Sequence, residues 1–478
     1  MTFGVLQRQY SDVQIARLLA SICILLYLVV FGIFFLLGSA NGTSFEAMIA
    51  LGGPETSDVT EYVHLAESML QAGRFEISPT IGPEYLRVPG YPAFLALMFL
   101  LFGTLTVVPF IQIIFTAGTV ALVCLIGARY FPRPIAIAAG VIYAIDPVVI
   151  YSTWVPISEP LFMLSLMGSI YVLGLPMRQA WMPYVIAGIL FGISVYMRPV
   201  GLYLAPLIAC LVFANAVSWK AAVRGALIFL IVAAVTVIPW MARNYMLSGH
   251  FAFSSSSAFN LYFANMPIFE QARTGVSYEQ IQRENNEKYF GTQEEDILRS
   301  FIYADEQMAI AREVILAHPI QYAAFHTAKS MQLFIGSSIV NFKYHMRKLG
   351  VLPGEQIHGE GAWGMILQGR LRDAFVQTFT NVPRLIERLL WLLAYAGMLY
   401  TTFRALMYRN ATSVWIVVAF LFIHAIAFMT GPSSDTTRYR MPLEPFLLLL
   451  GIYGLYTLGM KLRNMLVRNT VDHNVRTE

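Results

Sequence analysis

The stretch ETSDVTEYVHLAESMLQAGRF, residues 55–75, follows the first long apolar segment of the chain and carries the period of an amphipathic helix lying beside a membrane. Val59, Tyr62, Val63, Ala66, Met69 and Leu70 recur at helical spacing, with Glu61, His64, Glu67 and Ser68 between them. Asp58 stands in the first turn. Followed by Glu61, it has the spacing of an N-cap with a reciprocal acid. A carboxylate fixed at the edge of a bilayer is equally placed for chemistry on a membrane-borne substrate. His64, on the polar side, reads as a solvent-facing residue.

Composition sets the class. The chain is 57% hydrophobic and only 13% charged, with a mean hydropathy of +0.61, against roughly 45–50% apolar and 25% charged residues in soluble domains. It reads as a polytopic membrane protein. The net charge of +4 names no partner, because cytoplasmic membrane loops carry Lys and Arg whatever the function. Cys23, Cys124 and Cys210 each lie in an apolar run and read as small packing residues rather than disulfides, metal ligands or nucleophiles.

A spanning helix needs roughly 20 apolar residues. About ten segments qualify, near 16–38, 106–128, 134–151, 158–176, 182–197, 199–217, 223–240, 384–404, 412–430 and 441–461. The first is too long for a signal peptide and reads as an anchor. If ten helices alternate, Arg8, Arg17, Arg129, Arg133, Arg178, Lys220, Arg224, Arg404, Arg409, Lys461, Arg463 and Arg468 all fall on one side, the cytoplasmic one. The expected organisation is all-α: a transmembrane core over 1–240 with an outer first loop at 39–105, a mainly helical outer region at 241–383, and C-terminal helices with a cytoplasmic tail at 384–478. YPAFLALMFLLFG in the first loop is too short to span and reads as a surface or re-entrant helix. The stretch 323–340 reads as interfacial, because an eleventh span would put the basic tail outside.

The informative residues break the charge rule. Arg87, Arg198, Arg243, Arg438 and Arg440 fall at the outer ends of helices, within RVPGYP, YMRPVG, PWMARNY and TTRYRMP. A guanidinium cannot lose its charge and matches phosphate oxygens bidentately, so convergence of these five points to a phosphate held at headgroup level. Snorkelling to lipid headgroups is the plainer alternative. Asp146 in YAIDPVVIY and Glu159 in ISEPLF stand at the same side, each followed by proline. They read as helix caps, as ordering partners for the arginines, or as contacts to a sugar hydroxyl or a divalent cation. CxxC pairs, HExxH, GxxxxGK[ST] and GxSxG do not occur, so zinc hydrolysis, P-loop chemistry and a hydrolase serine lack support. A basic patch for nucleic acid is also missing.

In order, SDVTEYVHLAESMLQAGRF, RVPGYPAFLAL, YAIDPVVIYSTWVPISEPLF, YMRPVG, PWMARNYMLSGHFAFSSSSAFNLYFAN and TRYRMPLEPFLLLLGIYGL resemble the GT-C polyprenyl-phosphate-sugar glycosyltransferases. The branch is the one that includes protein O-mannosyltransferases and lipid A aminoarabinose transferases. The resemblance covers most of 55–265 and 435–460. It implies a GT-C membrane core with juxtamembrane helices, Asp58 as the catalytic base, and Arg87 where relatives place a basic residue, often lysine, against the donor phosphate. Val59 stands where some relatives carry a second acid. Tyr62, Tyr91, Asp146, Glu159, Asn260 and Asn265, which lie in these motifs, are the candidate contacts to sugar or acceptor.

The expectation is therefore an inverting transferase in the inner (plasma) membrane. It would move a sugar from a polyprenyl-phosphate donor to an acceptor hydroxyl of a glycan, lipid or protein on the extracytoplasmic face. The rival reading is a transporter or flippase of lipid-linked sugars. Such a protein uses repeat halves and broken helices at the midplane, and neither is evident.

Overall fold

The computed structural model describes residues 3–40, 42, 58–79, 82–292, 295–348, 365–366, 368–372, 374–375, 382–408, 410–431 and 437–476. Among the described residues there is helix and no strand, as lipid demands of a chain whose backbone polar groups must be satisfied internally. The residues flanking Asp58 on its N-terminal side, and much of 349–381, lie outside the description.

Among the described residues, six helices are long and apolar enough to cross a membrane: Ser11–Ala40, Val108–Tyr130, Trp219–Ser248, Val382–Met407, Thr412–Thr430 and Glu444–Val467. The pair Arg133–Ile145 and Pro147–Trp154 is long and apolar enough only when taken together, and it is bent by 55° at Asp146. The bend has a local cause: Pro147 offers no amide hydrogen, and Asp146 caps the new helix by accepting from Val148 N at 2.8 Å. The remaining three expected spans are shorter apolar helices, at Glu159–Leu173, Met182–Met197 and 199–214. The last is not one continuous helix. It is broken into 3₁₀ and α pieces by Pro199 and Pro206.

Contacts at one end of the bundle tie together the ends assigned to the cytoplasm. Arg133 pairs with Asp12, Tyr130 donates to Asn215 Oδ1 at 3.0 Å and stacks on Trp415, and Arg129 reaches the Tyr171 carbonyl. The opening helix lies on the rim, with Leu18, Leu25 and Leu36 at least 60% exposed. It is pinned inward by Tyr27, whose hydroxyl donates to the Ala144 carbonyl at 2.9 Å. Val382–Met407 and the C-terminal helix approach through glycine: a Cβ at Gly454 would lie 1.9 Å from the Gly397 carbonyl oxygen, the small-residue contact usual between membrane helices. Cys23 and Cys124 are buried as expected, whereas Cys210 is exposed on the apolar surface.

At the other end, the amphipathic helix runs Asp58–Gln71, with Val59, Tyr62, Leu65 and Ala66 buried and His64 exposed. It packs on the short helix Gly90–Phe102, the predicted surface helix. Gly90 is where that helix meets the end of Met182–Met197. A Cβ there would fall 2.5 Å from the Tyr196 carbonyl oxygen, so only glycine lets RVPGYP lie against YMRPVG. The stretch 323–340 divides into Pro319–Ile335 and Ser338–Lys348. The first packs beside Val382–Met407 and Ala411–Thr430, with His326 Nε2 at 2.7 Å from the Phe428 carbonyl.

Candidate active site

Asp58 opens its helix, yet its carboxylate does not turn back on the helix backbone. It lies between two guanidiniums, Arg87 Nη2 at 2.6 Å and Arg438 Nη2 at 2.7 Å. Glu61 likewise turns to arginines, meeting Arg87 Nε at 2.5 Å and Arg299 Nη2 at 2.7 Å. The reciprocal-cap reading is therefore not what these side chains do. Glu159, at the start of Glu159–Leu173, pairs with Arg198 and lies 2.9 Å from Arg438 Nε. The geometry at that second nitrogen makes no hydrogen bond. Arg299 Nε is 3.4 Å from Glu84.

The result is a continuous line of alternating charge: Glu84, Arg299, Glu61, Arg87, Asp58, Arg438, Glu159, Arg198. Four acids face four bases, drawn from the first loop, two helix ends, the outer region and the turn before the last helix. Burying ions costs several kcal/mol each unless partners and hydrogen bonds compensate, and alternation supplies both. Burial by itself raises the pKa of Asp58; the Arg87 and Arg438 guanidiniums more than reverse this and hold the carboxyl well below the usual range. Glu61 is lowered on the same balance of burial against Arg87 and Arg299.

Accessibility divides the arginines. The side chains of Arg87, Arg198 and Arg438 remain 21%, 16% and 13% exposed, whereas Arg299 is 7% exposed and Arg440 fully enclosed. Tyr62 lies beneath Arg87, its ring 5.7 Å from the guanidinium carbon.

Other sequence candidates fall elsewhere. Arg440 belongs to a second network, with Glu444 at 2.8 Å, Asp146 at 3.4 Å, Glu387 at 3.6 Å and the Gly336 carbonyl at 2.7 Å, its guanidinium over Trp391. It is enclosed by protein and ties the last helix to its neighbours; it is not open to a ligand. Asp146 is its partner and the cap of a broken span, apart from Asp58. Arg243 stacks over Trp240 and donates to the Glu84 carbonyl at 3.1 Å, which buttresses the segment before Arg87. Tyr91 is fully buried with its hydroxyl given to Gln112 at 2.6 Å. Asn260 and Asn265, on 256–265, are joined to the charge line by no hydrogen bond among the described residues. Asp146 and Glu159, read as able to serve a cation, lie in different networks, each already facing arginine. Among the described residues no three acidic, His or Cys side chains gather as metal ligands.

Glu84, Arg299, Glu387 and Glu444 were not picked out by sequence. Glu444 had a signal, its i,i+4 spacing from Arg440. The other three meet their partners only through tertiary closure.

Residues 86–242, which carry Arg87, Asp146, Glu159 and Arg198, match the model of the dolichyl-phosphate-mannose-protein mannosyltransferase family; Asp58, Arg243 and Arg438 lie beyond the match. No curated protein matches the chain. Among solved structures, the oligosaccharyltransferase AglB from Archaeoglobus fulgidus, in complex with an inhibitory peptide and a dolichol-phosphate, is similar at 15% identity. That similarity covers 93% of this chain and 52% of that one, with a TM-score of 0.49. ArnT from Cupriavidus metallidurans, bound to undecaprenyl phosphate, is similar at 14% identity over 90% of this chain and 77% of that one, with a TM-score of 0.38. This chain thus spans about half the length of the archaeal protein. The resemblance read from the motifs is matched by the family model over residues 86–242, and the apolar helices make the chain a multi-pass membrane protein.

Proposed function

We propose that this protein is an inverting glycosyltransferase that takes a sugar from a polyprenyl-phosphate donor and delivers it to an acceptor hydroxyl. The observation that carries the reading is the placement of Asp58 between Arg87 and Arg438, with Arg198 one carboxylate away, all three guanidiniums part-exposed at one end of a membrane bundle. A lipid carrier explains why a phosphate site should sit where apolar helices end.

The three arginines take the donor phosphate. Asp58 accepts the proton of the acceptor hydroxyl as its oxygen attacks the anomeric carbon from the face opposite the phosphate. The bond from that carbon to the phosphate oxygen breaks, its electron pair leaves with the phosphate, and the configuration inverts. The guanidiniums stabilise the charge gathering on the leaving group. Tyr62, under Arg87, lines the same place and is the aromatic candidate for a sugar contact. The Lys and Arg asymmetry of the loops supports an orientation with this end at the outer face of the inner (plasma) membrane.

A carrier of lipid-linked sugars would use broken helices such as those at Asp146 and within 199–214, but the part-exposed arginines gather at one end of the bundle rather than along a path through it, which favours the transferase. The test is a mass-spectrometric comparison of envelope glycans and lipids in cells lacking the protein and restored with wild type or Asp58→Asn. A sugar lost on deletion, restored by wild type and not by the variant, supports the transferase. Restoration by wild type and Asp58→Asn alike would sink it.

A further inference from the structure

Arg87 divides its guanidinium between two carboxylates, with Nη2 on Asp58 at 2.6 Å and Nε on Glu61 at 2.5 Å. The two are fastened very differently. Among the described residues, Asp58 is held only by Arg87 and Arg438, both part-exposed. Glu61 is gripped from behind by Arg299, through Nη1 at 3.2 Å and Nη2 at 2.7 Å. Arg299 is in turn backed by Glu84, whose Oε1 accepts the Leu86 and Arg87 amides at 2.7 and 2.8 Å. Its own carbonyl takes the Ser255 hydroxyl at 2.8 Å. One side of Arg87 is thus anchored in the fold through Arg299, and the other meets Asp58, which it shares with Arg438.

A phosphate arriving at Arg87 and Arg438 meets guanidinium donors that Asp58 already occupies. The line of charge is balanced, four against four, so an added anion gains its hydrogen bonds by exchange rather than from spare donors alone. Asp58 is the carboxylate that exchange frees, because Glu61 is gripped at two points by Arg299 and Glu159 is almost fully buried. Resting on the donor-phosphate reading above, we propose that Glu61, fastened by Arg299, is the positioning residue of the donor site: it keeps Arg87 in place while Asp58 yields the guanidinium to the donor phosphate. No covalent bond changes; one ion pair replaces another. Asp58 then becomes available to the acceptor hydroxyl only after the donor is seated.

Two carboxylates on one arginine therefore act on donor binding with opposite sign. The experiment measures the affinity of the full-length protein, in lipid nanodiscs, for a polyprenyl monophosphate carrying no sugar. Asp58→Asn removes the competitor and tightens binding by at least about threefold. Glu61→Gln and Arg299→Gln release Arg87 from its anchor and weaken binding by at least about threefold, the scale of a partly exposed ion pair. The Glu61→Gln and Arg299→Gln double variant is no weaker than either single, since both act through one arginine. Removing negative charge near an anion would by Coulomb attraction alone tighten binding in both carboxylate variants, and a general packing role would weaken both. Either same-direction result overturns the proposal. Should Glu61→Gln fail to fold, Arg299→Lys decides instead: it keeps the charge, loses the two-point grip, and is expected to weaken binding; unchanged affinity overturns the proposal. Arg87→Ala is the separate control, and unchanged affinity there would remove the phosphate reading itself, whatever the carboxylate variants do.

Discussion

Arg438 reaches Asp58 at 2.7 Å across 380 residues of chain. The turn before the last helix thereby closes the site that the first loop opens. Arg87→Ala, Arg198→Ala and Arg438→Ala are each expected to raise the donor KM or lower transfer by roughly tenfold to a hundredfold, the value of about 1.5–3 kcal/mol for a charge-assisted contact. Arg178→Ala, exposed at the opposite end, should be silent. Steady-state kinetics with detergent-purified variants checks this. Four variants behaving alike would make the arginines lipid anchors.

Arg440 predicts a different phenotype. Its guanidinium is fully enclosed among Glu444, Asp146 and Glu387, and removing it leaves buried carboxylates without their cation. Breaking a buried pair from one side costs about 3–5 kcal/mol. Arg440→Ala should therefore show a lowered thermal midpoint and poor yield, while protein that survives keeps a near-normal donor KM. A normal midpoint with a raised KM would return Arg440 to the phosphate site.

The pH dependence has a definite sign. Asp58 has a folded-state pKa below its unfolded value, because Arg87 and Arg438 outweigh burial. The stability it contributes is thus present above the unfolded pKa of about 3.9 and is lost as pH falls below that toward the folded value. The thermal midpoint of the ligand-free protein should decline on the acid side of about pH 4, and the decline should be shallower in Asp58→Asn. Superimposable curves for the two proteins would mean that Asp58 is not paired in solution.

Much of this architecture was legible in order along the chain. The ten apolar segments, the cap at Asp146 before Pro147, the amphipathic helix with His64 outward and the short helix after RVPGYP follow from composition, period and proline, which are local properties; 134–151 reads as one span, and its bend comes from the structure. Convergence was less legible. Arg87, Arg198 and Arg438 were grouped by their breach of the charge rule, and the structure does bring them together, but the same rule grouped Arg440 and Arg243 with them. A charge count cannot separate an accessible guanidinium from one enclosed by three acids or stacked on Trp240. Glu61 reads as a polar residue of its helix and as the reciprocal acid to Asp58, because period and spacing report local relations, not that Arg299 arrives from 238 residues away to cover it.

Topology can be tested without knowing the substrate. The region around Ser277, on helices beyond Trp219–Ser248, is expected outside, and the tail around Thr470 inside. Single cysteines at these positions, in a background lacking the native three, are probed in intact cells with an impermeant thiol reagent. Labelling at Ser277→Cys but not at Thr470→Cys is the expected result. The reverse pattern would invert the molecule and place the charge line in the cytoplasm.

Asp58 carries the most direct prediction. Its carboxylate bridges two arginines at 2.6 and 2.7 Å, so a structural role and a chemical one are both open to the same side chain, and the substitution must separate them. Asparagine keeps the shape and an oxygen that can still accept from one guanidinium, and it begins a helix about as well as aspartate. As a base it is useless. If Asp58 only ties the first loop to Arg438, Asp58→Asn costs some stability and transfer falls in proportion to the protein lost. If Asp58 takes the acceptor's proton, the variant folds, binds polyprenyl phosphate at least as well as wild type, and loses turnover by at least about a hundredfold, within the roughly 10²–10⁴-fold value of a positioned base. The loss should appear in kcat at saturating donor and acceptor, because the missing interaction is made only as the hydroxyl attacks. Wild-type kcat in folded Asp58→Asn would end the catalytic assignment.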